Sequence, residues 1–157
     1  MQKKITTFLT YDGQAEEAMN LYTSVFPNSK VTSTRRYGEV GPGEEGSLMT
    51  GTFELDGQEF MALNGGPEFT FDEAISFQVN CESQEEVDDY WTRLADGGQE
   101  SVCGWLKDRF GVSWQVVPTA LLEMINDPDT AKSQRVMEVM HGMKKLDIDE
   151  LRRAFAG

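Results

Sequence analysis

Residues 83–95, "SQEEVDDYWTRLA", repeat the pattern of residues 14–26, "QAEEAMNLYTSVF". Glu16–Glu17 lines up with Glu85–Glu86, Tyr22 with Trp91 and Thr23 with Thr92, each pair 69 positions apart. Both stretches have helical periodicity. Ala15, Ala18, Met19, Tyr22 and Phe26 recur on one face of the first, and Val87, Tyr90, Trp91 and Leu94 on one face of the second. Each opens on acidic side chains, which suit the positive end of a helix, and Ser83 with Glu86 forms a capping-box pattern.

Working outward, a strand precedes each helix, "KITTFLTY" (4–11) and "EAISFQVN" (73–80). Three strands follow the first helix: "KVTSTRRYG" (30–38), "SLMTGTFEL" (47–55) and "QEFMALN" (58–64), the last two joined by Asp56–Gly57, a hairpin turn. After the second helix come "QESV" (99–102), "GWLKDR" (104–109) and "VSWQVV" (112–117), with a tight turn at Phe110–Gly111. The class is therefore α+β, two tandem βαβββ modules, 1–67 and 72–118, in one domain of 157 residues. Residues 119–157 read as a tail of three helices, "TALLEMIND", "DTAKSQRVMEVMHGM" and "DIDELRRAFAG".

Charge narrows the function. The net charge is −13, which opposes binding to a phosphate backbone or an anionic membrane. No run of about 18 apolar residues offers a membrane span. The opening "MQKKITTFLTYDG" lacks the apolar core of a secretion signal, so the expected location is the cytoplasm. Cys81 and Cys103 have no metal or redox spacing and read as a reduced pair. The only histidine, His141, sits in the tail, which leaves no Ser-His-Asp arrangement. "GPGEEG" (41–46) formally fits a phosphate-loop pattern, but it lies between two strands and carries Glu44–Glu45, so it reads as a loop over the cleft rather than a phosphate cradle.

The tandem βαβββ pair resembles the vicinal oxygen chelate superfamily of glyoxalase I, bleomycin-resistance proteins and extradiol dioxygenases. "FLTYDGQAEEAMNLYTSVFPNSKV", "ALNGGPEFTFDEAISFQVNC", "GWLKDRFGVSWQVVP" and "KKLDIDELRRAFAG" are similar to its PhnB-like branch, labelled a 3-demethylubiquinone-9 3-methyltransferase domain. The resemblance implies curled sheets around a cleft and a homodimer. In metal-using members four strands supply the ligands. By register those positions fall at Thr7, near Ala62, near Ala74 and at Gln115, a set with no imidazole and no carboxylate.

The expectation is thus a small organic ligand in an apolar cleft, with no tightly bound metal and no cofactor. Phe8, Thr10, Phe53, Asn64, Phe77, Trp105 and Gln115 are the candidate ligand-binding residues, with Met61 a further lining candidate. Strand alternation sets Trp114 opposite to Gln115, under a helix. No catalytic residue stands out; Glu54 is the candidate base if it faces inward, Cys103 needs a neighbouring base, and Asp108–Arg109 reads as a turn pair with Arg109 a weak anion grip. The alternatives are a metal-dependent glyoxalase or dioxygenase-type enzyme, or a methyltransferase as the label has it. Methyl transfer from S-adenosylmethionine usually needs a doubly wound sheet with a glycine-rich turn, and the pattern supplies neither.

Overall fold

The computed structural model describes residues 3–157. Helix α1 (Ala15–Val25) forms where the periodicity places it and buries Ala15, Ala18, Met19, Tyr22 and Val25. Its last turn closes with the Phe26 N–H on the Tyr22 carbonyl at 3.1 Å, just before Pro27 stops the helix. The strands that receive this face are β1 (Thr7–Tyr11), β2 (Lys30–Arg36), β3 (Leu48–Leu55) and β4 (Gln58–Asn64). They run in the order β1-β4-β3-β2, with β1 parallel to β4 and the other pairs antiparallel.

Leu9, Tyr11, Phe53, Leu55, Phe60 and Ala62 are buried on the side that faces α1. The Phe53 ring stacks on Phe60 at 5.4 Å and tilts against Tyr22 at 6.3 Å. Burying Phe53 alone contributes about 2 kcal/mol. Met19 rests on the strand at Gly51, where a Cβ would lie 2.4 Å from its sulfur and would push the thioether aside. Asp56 and Gly57 take positive φ (49° and 80°), as a two-residue hairpin requires.

The second unit repeats this plan with β5 (Ser76–Cys81), α2 (Gln84–Ala95), β6 (Gln99–Glu100), β7 (Trp105–Lys107) and β8 (Ser113–Pro118), in the order β5-β8-β7-β6. Helix α2 buries Val87, Trp91 and Leu94. Ser83 caps it, accepting from the Glu86 N–H at 3.2 Å, while the Glu86 carboxylate reaches the N–H of Glu82 rather than of Ser83. The chain divides into these two compact units at Thr70 and Phe71.

The tail belongs to the second unit. Its helices α3 (Thr119–Ile125), α4 (Thr130–His141) and α5 (Ile148–Ala156) enclose their own core of Leu121, Met124, Val136, Met143, Leu146 and Leu151, joined by Val117 from β8. Two fastenings tie this core to the module. Gln84, at the start of α2, donates to the Leu146 carbonyl at 3.0 Å and accepts from the Ile148 N–H at 2.8 Å. The Cys103 and Gly104 N–H groups donate to the carbonyls of Met143 and Lys144, each at 2.8 Å. Among the described residues no helix is long and apolar enough to cross a membrane.

Candidate functional site

Each sheet has one face against its own helix and one turned away from it, here the far face. Alternation along β8 puts Trp114, Val116 and Pro118 toward α2, and Ser113, Gln115 and Val117 on the far face. The antiparallel register sets Trp105 opposite Gln115 and Lys107 opposite Ser113. Trp105 and Gln115, each a candidate lining residue, are thus cross-strand neighbours on β7 and β8. Gln115 donates from Nε2 to Ser76 Oγ at 2.9 Å, and its Oε1 has no partner among the described residues. Trp114 is buried, 5.4 Å from the Phe77 ring, with its indole N–H on Asp108 Oδ2 at 2.9 Å.

Asp108 organises the hairpin before this strand. Its Oδ1 also accepts from the N–H groups of Phe110 and Val112, at 2.9 and 3.0 Å. The predicted Asp108–Arg109 pair is replaced by another. Arg109 turns to Asp96, donating to its carboxylate and carbonyl at 3.2 Å each, and so is not presented to a ligand.

On the first sheet Phe8 and Thr10 lie on the far face, with Met61, Leu63 and Thr52 beside them in register. Phe8 is half exposed. Glu54 is also on this face, directly opposite Glu59, whose carboxylate accepts from the Thr6 hydroxyl at 3.4 Å. Three expected lining residues are elsewhere. Phe53 is wholly buried against α1, and Phe77 shares the α2 side with Trp114. Asn64 spends its amide as a clasp: Oδ1 accepts from the Ala15 N–H at 2.9 Å, and Nδ2 donates to the Leu48 carbonyl at 3.1 Å. A half-buried groove of about 610 Å³ passes Asn64 and Tyr37, whose ring lies against Gly43 of the glycine loop. The loop is pinned there by Tyr37 Oη on the Asn64 carbonyl at 3.0 Å.

A cavity of about 620 Å³ opens on the far face of the second sheet. Trp105, Lys107, Ser113, Glu73, Gln99 and Cys103 line it. Lys107 and Glu73 form an ion pair, and Lys107 holds the Glu73 carboxyl below its usual range. Cys103 has φ 59°, an uncommon left-handed backbone for a side chain with a Cβ. Ser113 is 1 % exposed and its Oγ has no hydrogen-bond partner among the described residues. The sequence reading passed over Ser113 as a site residue. The signal for Ser113 was its place two residues before Gln115, on the same face.

Within each unit the expected cation positions do not form a donor set. Thr7 and Ala62 share the face of Leu9 and Phe60 that meets α1, so the far face carries Phe8 and Met61 instead. Ala74 precedes β5, in a turn where its N–H bonds Asp72 Oδ1 at 2.9 Å. Only Gln115 holds its place, with Gln78 opposite it on β5. The thioether and ring on the first sheet do not suit a hard divalent ion, and neither do the two amides on the second. Among the described residues no three His, Cys, Asp or Glu side chains group as metal ligands.

Comparison with known proteins agrees with this architecture. A PhnB protein from Bacillus cereus, carrying a 3-demethylubiquinone-9 3-methyltransferase description, is 45% identical; the alignment covers 74% of this chain and 99% of that one, with a TM-score of 0.70. A Pseudomonas aeruginosa protein at 20% identity covers 74% and 98%, TM-score 0.62. The fosfomycin resistance protein FosX from Listeria monocytogenes, solved with Mn(II) and sulfate, shares the fold at 13% identity, covering 75% and 90%, TM-score 0.52. No curated protein matches the chain. The family profile described as 3-demethylubiquinone-9 3-methyltransferase matches residues 3–117, so "KKLDIDELRRAFAG" falls outside it. With that profile over most of its length and both βαβββ modules in place, the chain belongs to the 3-demethylubiquinone-9 3-methyltransferase family, in the PhnB-like branch of the vicinal oxygen chelate fold.

Proposed function

We propose that this protein binds a small organic molecule on the far face of its second sheet, without a tightly held metal ion or a cofactor. The observation that carries the reading is the cavity lined by Trp105 and Ser113, in which an indole and a buried hydroxyl with no hydrogen-bond partner among the described residues meet. Apolar walls with a few fixed polar groups are how small-ligand sites are built. Phe8 and Thr10 offer a comparable surface on the first sheet. A reading other than methyl transfer is supported by the sheets, which are both four-stranded and mixed, unlike the doubly wound sheet that usually carries S-adenosylmethionine.

A thermal-shift screen of small aromatic compounds tests the proposal. Some are expected to raise the melting temperature of the protein, and Trp105→Ala is expected to abolish the shift. No shift from any compound overturns it. Metal analysis of freshly purified protein is the second arm: a stoichiometric ion whose removal lowers the melting temperature favours the metal-dependent glyoxalase or dioxygenase reading. The homodimer belongs to the same proposal, and light scattering is expected to give twice 17.6 kDa.

A further inference from the structure

We propose that the cavity on the second sheet selects a neutral phenolic ring, whose hydroxyl pairs with Ser113 Oγ beneath a gate formed by Lys107 and Glu73. The inference rests on the small-ligand reading above and names the chemical class.

Its starting point is Ser113. Buried hydroxyls are almost always hydrogen-bonded, and one left unpaired destabilises the fold. Neither of its lateral neighbours bonds it. Ser76, opposite it on β5, accepts from Gln115, and Lys107, opposite it on β7, pairs with Glu73. The strand order β5-β8-β7 puts β8 in the middle. An ion pair from β7 to the segment leading into β5 therefore spans β8 at Ser113. Its side chains are 34% and 62% exposed, and such surface pairs part at little cost.

Charge sets the class. Among the described residues the only cation lining the cavity, Lys107, is cancelled by Glu73. Glu100 accepts from the Trp91 indole N–H at 2.9 Å, and its charge repels an anion. An anionic ligand finds no unpaired counter-charge. A flat ring lies against the indole of Trp105. A hydroxyl on that ring can either donate to the orphaned serine or accept from it.

Calorimetric titration with phenol, toluene, benzoate and benzylamine tests this. Phenol is expected to bind the wild-type protein about five-fold more tightly than toluene, the worth of one net hydrogen bond. Ser113→Ala is expected to erase that difference, leave toluene unchanged and raise the melting temperature of the free protein by about 3 °C, because it removes an unpaired buried hydroxyl. Glu73→Gln unlatches the gate and is expected to tighten phenol binding. Benzoate or benzylamine binding more tightly than phenol overturns the neutral class. Phenol equal to toluene on the wild-type protein, which needs no variant, overturns the role of Ser113 while the broader reading stands. Failure of all four compounds to bind overturns both.

Discussion

Asp108 is one carboxylate meeting three donors, the N–H groups of Phe110 and Val112 and the indole of Trp114. The sequence marked the turn at Phe110–Gly111 but paired this acid with its chain neighbour, because adjacency in sequence is all that a string of residues shows. Asp108→Ala would strand three buried or half-buried donors, each costing about 1–3 kcal/mol when unpaired. The expected loss is about 3 kcal/mol or more, read as a lower urea midpoint with an unchanged slope. Cys81 gives a second test at this scale. Burial pushes its thiol up to about 12, with smaller contributions from Glu86 and Glu82. Below pH 9 the thiol is protonated in both states, and its contribution to stability is complete. Between about 9 and 12 only the unfolded chain releases the proton, so stability falls as pH rises, by at most about 1.4 kcal/mol per pH unit. Cys81→Ala is expected to lose this part of the alkaline decline, measured as the difference between urea midpoints of the two proteins at pH 8 and pH 10.5.

Both module helices and the three tail helices lie where periodicity puts them, and β4 matches its quoted stretch residue for residue. The strand faces were harder to read. Thr7 and Ala62 were each assigned one residue away from the far face. A period of two makes a one-residue error a complete reversal of side. Phe53 and Phe77 went the same way, since an aromatic suits a core and a ligand wall equally until a helix is seen against it. The fastening of the tail was invisible for another reason. Gln84 reads as an ordinary first-turn residue of α2, yet its amide grips Leu146 and Ile148 across more than 60 positions of chain. Gln84→Ala is expected to lower stability by about 2 kcal/mol, the worth of two net hydrogen bonds. Hydrogen exchange of α5 should accelerate more than that of β3, which lies in the other unit.

The charge of −13 is a property of the whole chain, spread over 27 acidic and 14 basic residues. Self-repulsion at this level weakens a compact state and is screened by salt. Raising ionic strength from about 0.01 to 0.15 M, where the screening length falls from about 30 to 8 Å, is expected to raise the melting temperature. A melting temperature that falls would mean the five described surface ion pairs outweigh the repulsion. At this scale the family and fold were legible because duplication leaves a mark along the whole string. The cavity was not, since Ser113, Lys107 and Glu73 meet only through a strand order that places β8 between its neighbours. The tail has one more consequence. It holds the amides of Cys103 and Gly104, whose loop rims that cavity, yet it lies beyond the residues the family shares. Substitutions in these last forty residues are therefore expected to retune the proposed ligand preference from a distance, as a peg alters a string, while every strand of the inherited scaffold keeps its own residues.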